Sequence, residues 1–130
     1  MAKLILLCLI LIEIICSCAK GYGTIYVQKN LTIYYNNNKD INTVKELANY
    51  WISRELILDK PQTIRYFHTD TISQLQLIKT PSFNAKTLNF DAIKELQNLE
   101  DELNRTIFSK NKVDVVICDS RFNVLNNLNY

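Results

Sequence analysis

The sequence predicts an α+β fold, a ferredoxin-like βαββαβ sandwich with two helices on one face of a four-stranded antiparallel sheet. Three observations carry this expectation. From Leu31 onward the segments read strand, helix, strand, strand, helix, strand. Each helical segment has a single apolar stripe, and burying both stripes against one sheet face is the simplest arrangement. No Pro/Gly-rich linker divides the body, so one domain spans residues 31–130. In a ferredoxin-like sheet the strand order is fourth, first, third, second. That order sets residues 31–35 between residues 113–118 and residues 72–79.

After Gly21 and Gly23, residues 24–35 are rich in β-branched and aromatic side chains, with Gln28, Lys29 and Asn30 interrupting them. Residues 18–30 read as an anchor and extended arm or short strand, and residues 31–35 as a firm strand. Asn36, Asn37 and Asn38 mark a surface turn. A helix follows over residues 41–58, because Val44, Leu47, Ala48, Trp51 and Ile52 keep the spacing of one buried stripe. Asp40 or Asn42 is the expected cap, and Asp59-Lys60-Pro61 ends the helix, since a residue before proline is pushed from helical angles.

Residues 62–68 and 72–79 alternate as an antiparallel pair around Thr69-Asp70-Thr71, with Ile64 and Tyr66 matched by Leu75 and Leu77. Thr80-Pro81-Ser82 breaks the second of these strands. A second helix runs over residues 91–108, where Ala92, Ile93, Leu96, Leu99, Leu103 and Ile107 form the stripe. Asn89 is a candidate cap, and Asp101 with Arg105 is a supporting i, i+4 pair. Lys110-Asn111-Lys112 then turns the chain into a last core strand, residues 113–118, with a short extension over residues 122–125.

Ahead of this body stand Lys3, an apolar run over residues 4–15, and Ile15-Cys16-Ser17-Cys18. A basic start, a short apolar core and a small residue before the processing point make residues 1–17 a signal peptide of the lipoprotein type, with Cys18 as the lipid-attachment residue. A cleaved soluble protein and an uncleaved amino-terminal anchor stay open, and all three export the body. The run is shorter than the roughly 20 apolar residues a spanning helix needs. Glu13 inside it costs insertion a further roughly 2.5–3.5 kcal/mol. Of the four cysteines, Cys8 and Cys16 leave with the signal and Cys18 carries lipid, so Cys118 has no intramolecular disulfide partner. A Cys18 to Cys118 bridge is conceivable only without lipidation.

A net charge of +2 with scattered basic residues gives no footprint for nucleic acid. The third core strand carries Ser73-Gln74-Leu75-Gln76-Leu77-Ile78 where an RNA-binding sheet of this fold needs a basic-aromatic signature. Cys16-Ser17-Cys18 lacks a second ligand pair at structural-zinc spacing, and neither metal nor cofactor is expected. His68, the one histidine, sits near Asp70 and is a general base or ligand only if partners converge on it. The expected topology holds it at the opposite edge of the sheet from Asp114 and Asp119. Cys118 has no visible activating neighbour and reads as a buried thiol. No serine has a glycine-flanked elbow, and no glycine loop cradles phosphate.

The aromatic side chains are the remaining signal. Tyr22, Tyr26, Tyr34, Tyr35 and Phe67 place several rings on strands, and Tyr34, Tyr35 and Phe67 are the candidate binding residues on a sheet face free of helices. The competing reading is ordinary strand filling. Trp51 reads as a core anchor. In a eukaryotic chain, Asn30-Leu31-Thr32 and Asn104-Arg105-Thr106 are glycosylation acceptors, which requires an exposed Asn104.

Leu31-Thr32-Ile33-Tyr34-Tyr35, the helix bearing Tyr50-Trp51, and the run from Val113 to Asp119 with Phe122 and Leu125 together resemble small envelope lipoproteins of unknown function from the Bacteroidota. The resemblance implies an envelope lipoprotein and brings no catalytic or ligand residue with it. Some lipoproteins of this phylum reach the cell surface through acidic residues after the lipidated cysteine. Here Ala19-Lys20-Gly21 follows Cys18, which favours an anchor facing the periplasm. The expected protein is thus an exported, lipid-anchored binding or accessory component of the cell envelope, held to a membrane by its lipid and meeting an envelope protein partner. The alternative is a small envelope enzyme using His68 or Cys118.

Overall fold

The structure, a computed structural model, describes residues 21–56, 60–79 and 90–127. Cys8, Cys16, Cys18, residues 57 and 58 of the expected first helix, Asp59, the Thr80-Pro81-Ser82 break and the Asn89 cap lie outside the described residues. The described residues form six strands: β1 (Thr24–Gln28), β2 (Leu31–Tyr35), β3 (Gln62–His68), β4 (Ser73–Ile78), β5 (Asp114–Cys118) and β6 (Val124–Asn127). Between them run a 3-10 turn (Asn38–Asp40) and two helices, α1 (Ile41–Ser53) and α2 (Phe90–Thr106).

The α+β class holds, but the ferredoxin-like sandwich does not. The sheet has six strands in the order β1-β2-β3-β4-β5-β6, and it is mixed. Three antiparallel hairpins, β1–β2, β3–β4 and β5–β6, are joined by parallel pairs β2–β3 and β4–β5. Among the described residues, the connection between each parallel pair contains one α-helix. The physical reason lies in the edges. A ferredoxin-like sheet leaves both edges of β2 open to distant strands, whereas here β1 reaches one edge of β2 through a two-residue turn at Lys29 and Asn30. Closing so short a loop has a small entropic cost, and it occupies the position that β5 was expected to fill. The segment read as a short strand or extended arm is therefore a full edge strand. At the far side β6 pairs with β5 in the same local way.

The main core lies between one face of this sheet and both helices. Leu31, Ile33, Tyr35, Ile64, Tyr66, Leu75 and Val115 meet Val44, Leu47, Ala48, Trp51 and Leu103 there, all nearly inaccessible. Trp51 is 2% exposed and donates its Nε1 hydrogen to Gln62 Oε1 at 3.3 Å. Helix α1 stops earlier than the apolar stripe suggests. Glu55 takes φ 55°, and the Glu55 and Leu56 amides donate to the Ile52 and Trp51 carbonyls, a Schellman end that folds Leu56 back onto the core. The Asp101–Arg105 pair is replaced as well. Arg105 Nε faces the Asp101 carbonyl oxygen, and the ion pair joining the two helices is Arg54 with Glu102.

Helix α2 also finishes the sheet where β6 falls short. Asn104 Nδ2 donates to the Val113 carbonyl at 3.0 Å and its Oδ1 accepts the Val113 amide at 2.8 Å. Glu100 Oε2 accepts the Val115 amide at 2.9 Å. Two side chains thus occupy backbone groups that would otherwise form an open edge. Burial pushes the Glu100 carboxyl up, with the Val115 hydrogen bond pulling it down. Asn104, so engaged, does not present the free amide that glycosylation requires.

Candidate functional site

Strand alternation sends every second side chain to the sheet face away from the helices. Register aligns Tyr34, Arg65, Gln76 and Val116 in one row across β2 to β5, and Phe67, Gln74 and Asp114 in the next. Two rings from outside the strands close over this face. Tyr22, just before β1, stands 5.6 Å from Tyr34 and 5.1 Å from Phe122, while Phe122, just before β6, stands 5.9 Å from Tyr34. All three pairs meet edge to face, the arrangement favoured by aromatic quadrupoles.

Local backbone chemistry places these rings. Gly23 has φ +101°, and a Cβ there would sit 2.4 Å from the Tyr35 carbonyl oxygen, so glycine alone lets Tyr22 turn onto the face. On the other side, Asp119 Oδ1 accepts the Arg121 and Asn123 amides at 2.8 and 2.9 Å. This knot, which holds the Asp119 carboxyl below its ordinary range through the Asn123 hydrogen bonds, carries Phe122 in the left-handed region at φ 60°. Phe122 is 6% exposed despite its loop position.

Arg65 stands among the rings. Its Cζ lies 4.9 Å from the Phe67 centroid, 5.7 Å from Tyr22 and 5.8 Å from Phe122. Among the described residues it has no carboxylate partner, and its Nε is buried without a hydrogen bond. Burial lowers the guanidinium's pKa, opposed by Cys118 and Tyr22. Directly across the β3–β4 pair is Gln76, 5% exposed. Its Nε2 donates to Gln74 Oε1 at 3.1 Å, and its Oε1 is buried with no partner. The face therefore holds a cation, an aromatic surround and an unmet acceptor side by side.

The residues singled out from sequence divide between the two faces. Tyr34 and Phe67 are on the helix-free face with Tyr22, whereas Tyr35 is 5% exposed in the helix-covered core and Tyr26 packs against that core. Tyr35 cannot meet a ligand on the open face, because adjacent strand residues point oppositely. Cys18 lies outside the described residues. Cys118 is fully buried on the helix-free side, where burial pushes its thiol up to about 11, Asp119 adding to the shift and Arg65 opposing it.

His68 is not at the opposite edge from the strand bearing Asp114, since only β4 separates β3 from β5. Its partner is the expected helix cap, Asp40, which makes no capping bond and instead places Oδ2 3.0 Å from His68 Nδ1. Asn36 clamps the His68 backbone with bonds of 2.7 and 2.8 Å, and Tyr66 stacks on the ring at 5.7 Å. A polar cleft of about 480 Å³ opens beside it. Ser73, opposite His68 in register, has its Oγ buried near the Tyr66 phenol, and Cys118 is on the other face. Among the described residues, no hydrogen bond joins the His68 ring to a hydroxyl or thiol.

Sequence reasoning missed Arg65, Gln76 and Phe122. A signal was available for the first, since Arg65 has the strand parity of Phe67. Among the described residues, no three His, Cys, Asp or Glu side chains gather as a metal site would need. Comparison with protein-family models, curated proteins and solved structures finds no match to this chain.

Proposed function

We propose that this chain is an exported, lipid-anchored binding protein of the cell envelope, working through the helix-free sheet face as a binding or accessory component. The observation that carries the reading is that face itself, where Tyr22, Tyr34, Phe67 and Phe122 surround Arg65. Aromatic and arginine side chains are the types enriched at recognition surfaces. The leader and Cys18 support the anchored location, as does the patterned resemblance to Bacteroidota envelope lipoproteins. No helix among the described residues is long and apolar enough to cross a membrane. Only about 14 Å of fully extended chain separates Cys18 from Tyr22, so the anchor keeps the binding face close to the bilayer.

Fatty-acid labelling in cells, combined with photocrosslinking, tests both halves. Cys18→Ser should abolish labelling and release the body to the soluble fraction, while Cys16→Ser does neither. A photoreactive side chain at position 67 should give a discrete adduct that the same group at exposed position 49, on α1, does not. Labelling that survives Cys18→Ser contradicts the anchor, and identical adducts from the two positions contradict the face.

A further inference from the structure

We infer that the ligand of the helix-free face carries a carboxylate or phosphate on an apolar or aromatic body, with Arg65 holding the anion and Gln76 accepting a hydrogen bond from a donor beside it. The inference rests on the binding face proposed above and gives its ligand a chemical class.

A guanidinium is charged at any physiological pH and offers five N–H donors in a rigid fork. Taking it out of water is costly unless a partner restores what the solvent supplied. Among the described residues, Arg65 meets ring faces at 4.9 to 5.8 Å from Cζ and no carboxylate. These faces attract a cation but give the Nε hydrogen of this half-buried side chain no acceptor. The Nε hydrogen is already buried without an acceptor, so the edge of the fork that includes Nε is the one lacking a partner. Carboxylate and phosphate oxygens fit such an edge in pairs, and the geometry is why arginine recurs wherever these groups are recognised.

Gln76 is an independent observation pointing to the same place. It is 5% exposed, faces Arg65 across the strand pair, donates its amide hydrogen to Gln74, and has an unpartnered Oε1. Native proteins leave few buried polar atoms unmet. A buried donor and a buried acceptor on neighbouring strands call for one molecule presenting an acceptor and a donor close together, such as a hydroxy or amido acid. Tyr34, Phe67 and Phe122 then cover its apolar part.

Benzoate, benzamide and inorganic phosphate, titrated into the purified full chain, test this by the nuclear magnetic resonance signals of the Arg65 Nε–H and the Gln76 side-chain amide. Benzoate should move both signals saturably, and benzamide, the same ring without the charge, should bind at least about ten-fold more weakly, as one charge-assisted hydrogen bond implies. Phosphate moving the Arg65 signal more strongly than benzoate supports the anion and assigns it to the phosphate class. Arg65→Met should remove the saturable response while near-ultraviolet circular dichroism confirms a folded chain. Equal binding of benzoate and benzamide would overturn the inference while leaving the face a binding surface. So would a benzoate response that survives Arg65→Met, an Arg65 signal that neither anion moves, or a direct Arg65 to Gln76 hydrogen bond detected in the ligand-free protein.

Discussion

Arg65 and His68 stand three residues apart on the same strand, point to opposite faces of the sheet, and are treated in opposite ways. His68 has its backbone clamped by Asn36, its ring nitrogen met by Asp40 and its ring stacked on Tyr66. The Asn36 and Asp40 contacts tie β3 to the turn after β2, so the histidine closes the fold. Arg65 has rings around it and neither a carboxylate nor a hydrogen bond among the described residues. A polar group whose needs the chain meets is explained by the chain. One whose needs go unmet points to something outside it.

The contrast extends to the two faces, and the largest effects should fall on the helix-covered side. Trp51→Ala removes a ring that is 2% exposed and should cost about 3–5 kcal/mol in chemical unfolding. Phe67→Ser, on a half-buried ring of the helix-free face, should cost about 1.5 kcal/mol or less. Similar losses at the two positions would make the helix-free face a second structural core. Asp40→Asn gives a smaller effect, about 1 kcal/mol or less, because the His68 pair is partly solvated and the clamp from Asn36 remains. A larger loss would show that the pair is a keystone of the turn and that the contrast with Arg65 is sharper still.

Much of the local architecture was legible in the sequence, because it follows from periodicity. Strands β2 and β3 were readable from alternation, and the apolar stripes located both helices, although the first ends at Ser53, ahead of the left-handed Glu55. Sheet order was not legible. Pairing across the sheet depends on which edge is taken first, and the edge strands β1 and β6 carry weak patterns: Ile25 and Val27 are 48% and 61% exposed, so burial does not mark them. Tyr35 shows a different failure, since alternation alone requires that it and Tyr34 face opposite ways. Parity with Phe67 placed Arg65 on the right face, but its role was hidden for a more basic reason. A charged residue in an alternating strand reads as solvated, and only three-dimensional register shows that Gln76 stands opposite and that no carboxylate stands nearby.

The central claim is that the Arg65 charge serves a ligand rather than the fold, and the stability of Arg65→Met in the absence of added anions tests it most directly. Burial lowers the guanidinium's hold on its proton, which means that the folded chain carries this charge less comfortably than the unfolded one. Methionine keeps an apolar stem against the rings and removes the charge. Denaturant unfolding should therefore give a stability within about 0.5 kcal/mol of the parent chain, or above it. A loss of more than about 1.5 kcal/mol, the scale of breaking a buried charged interaction, would contradict the claim and make Arg65 part of the framework.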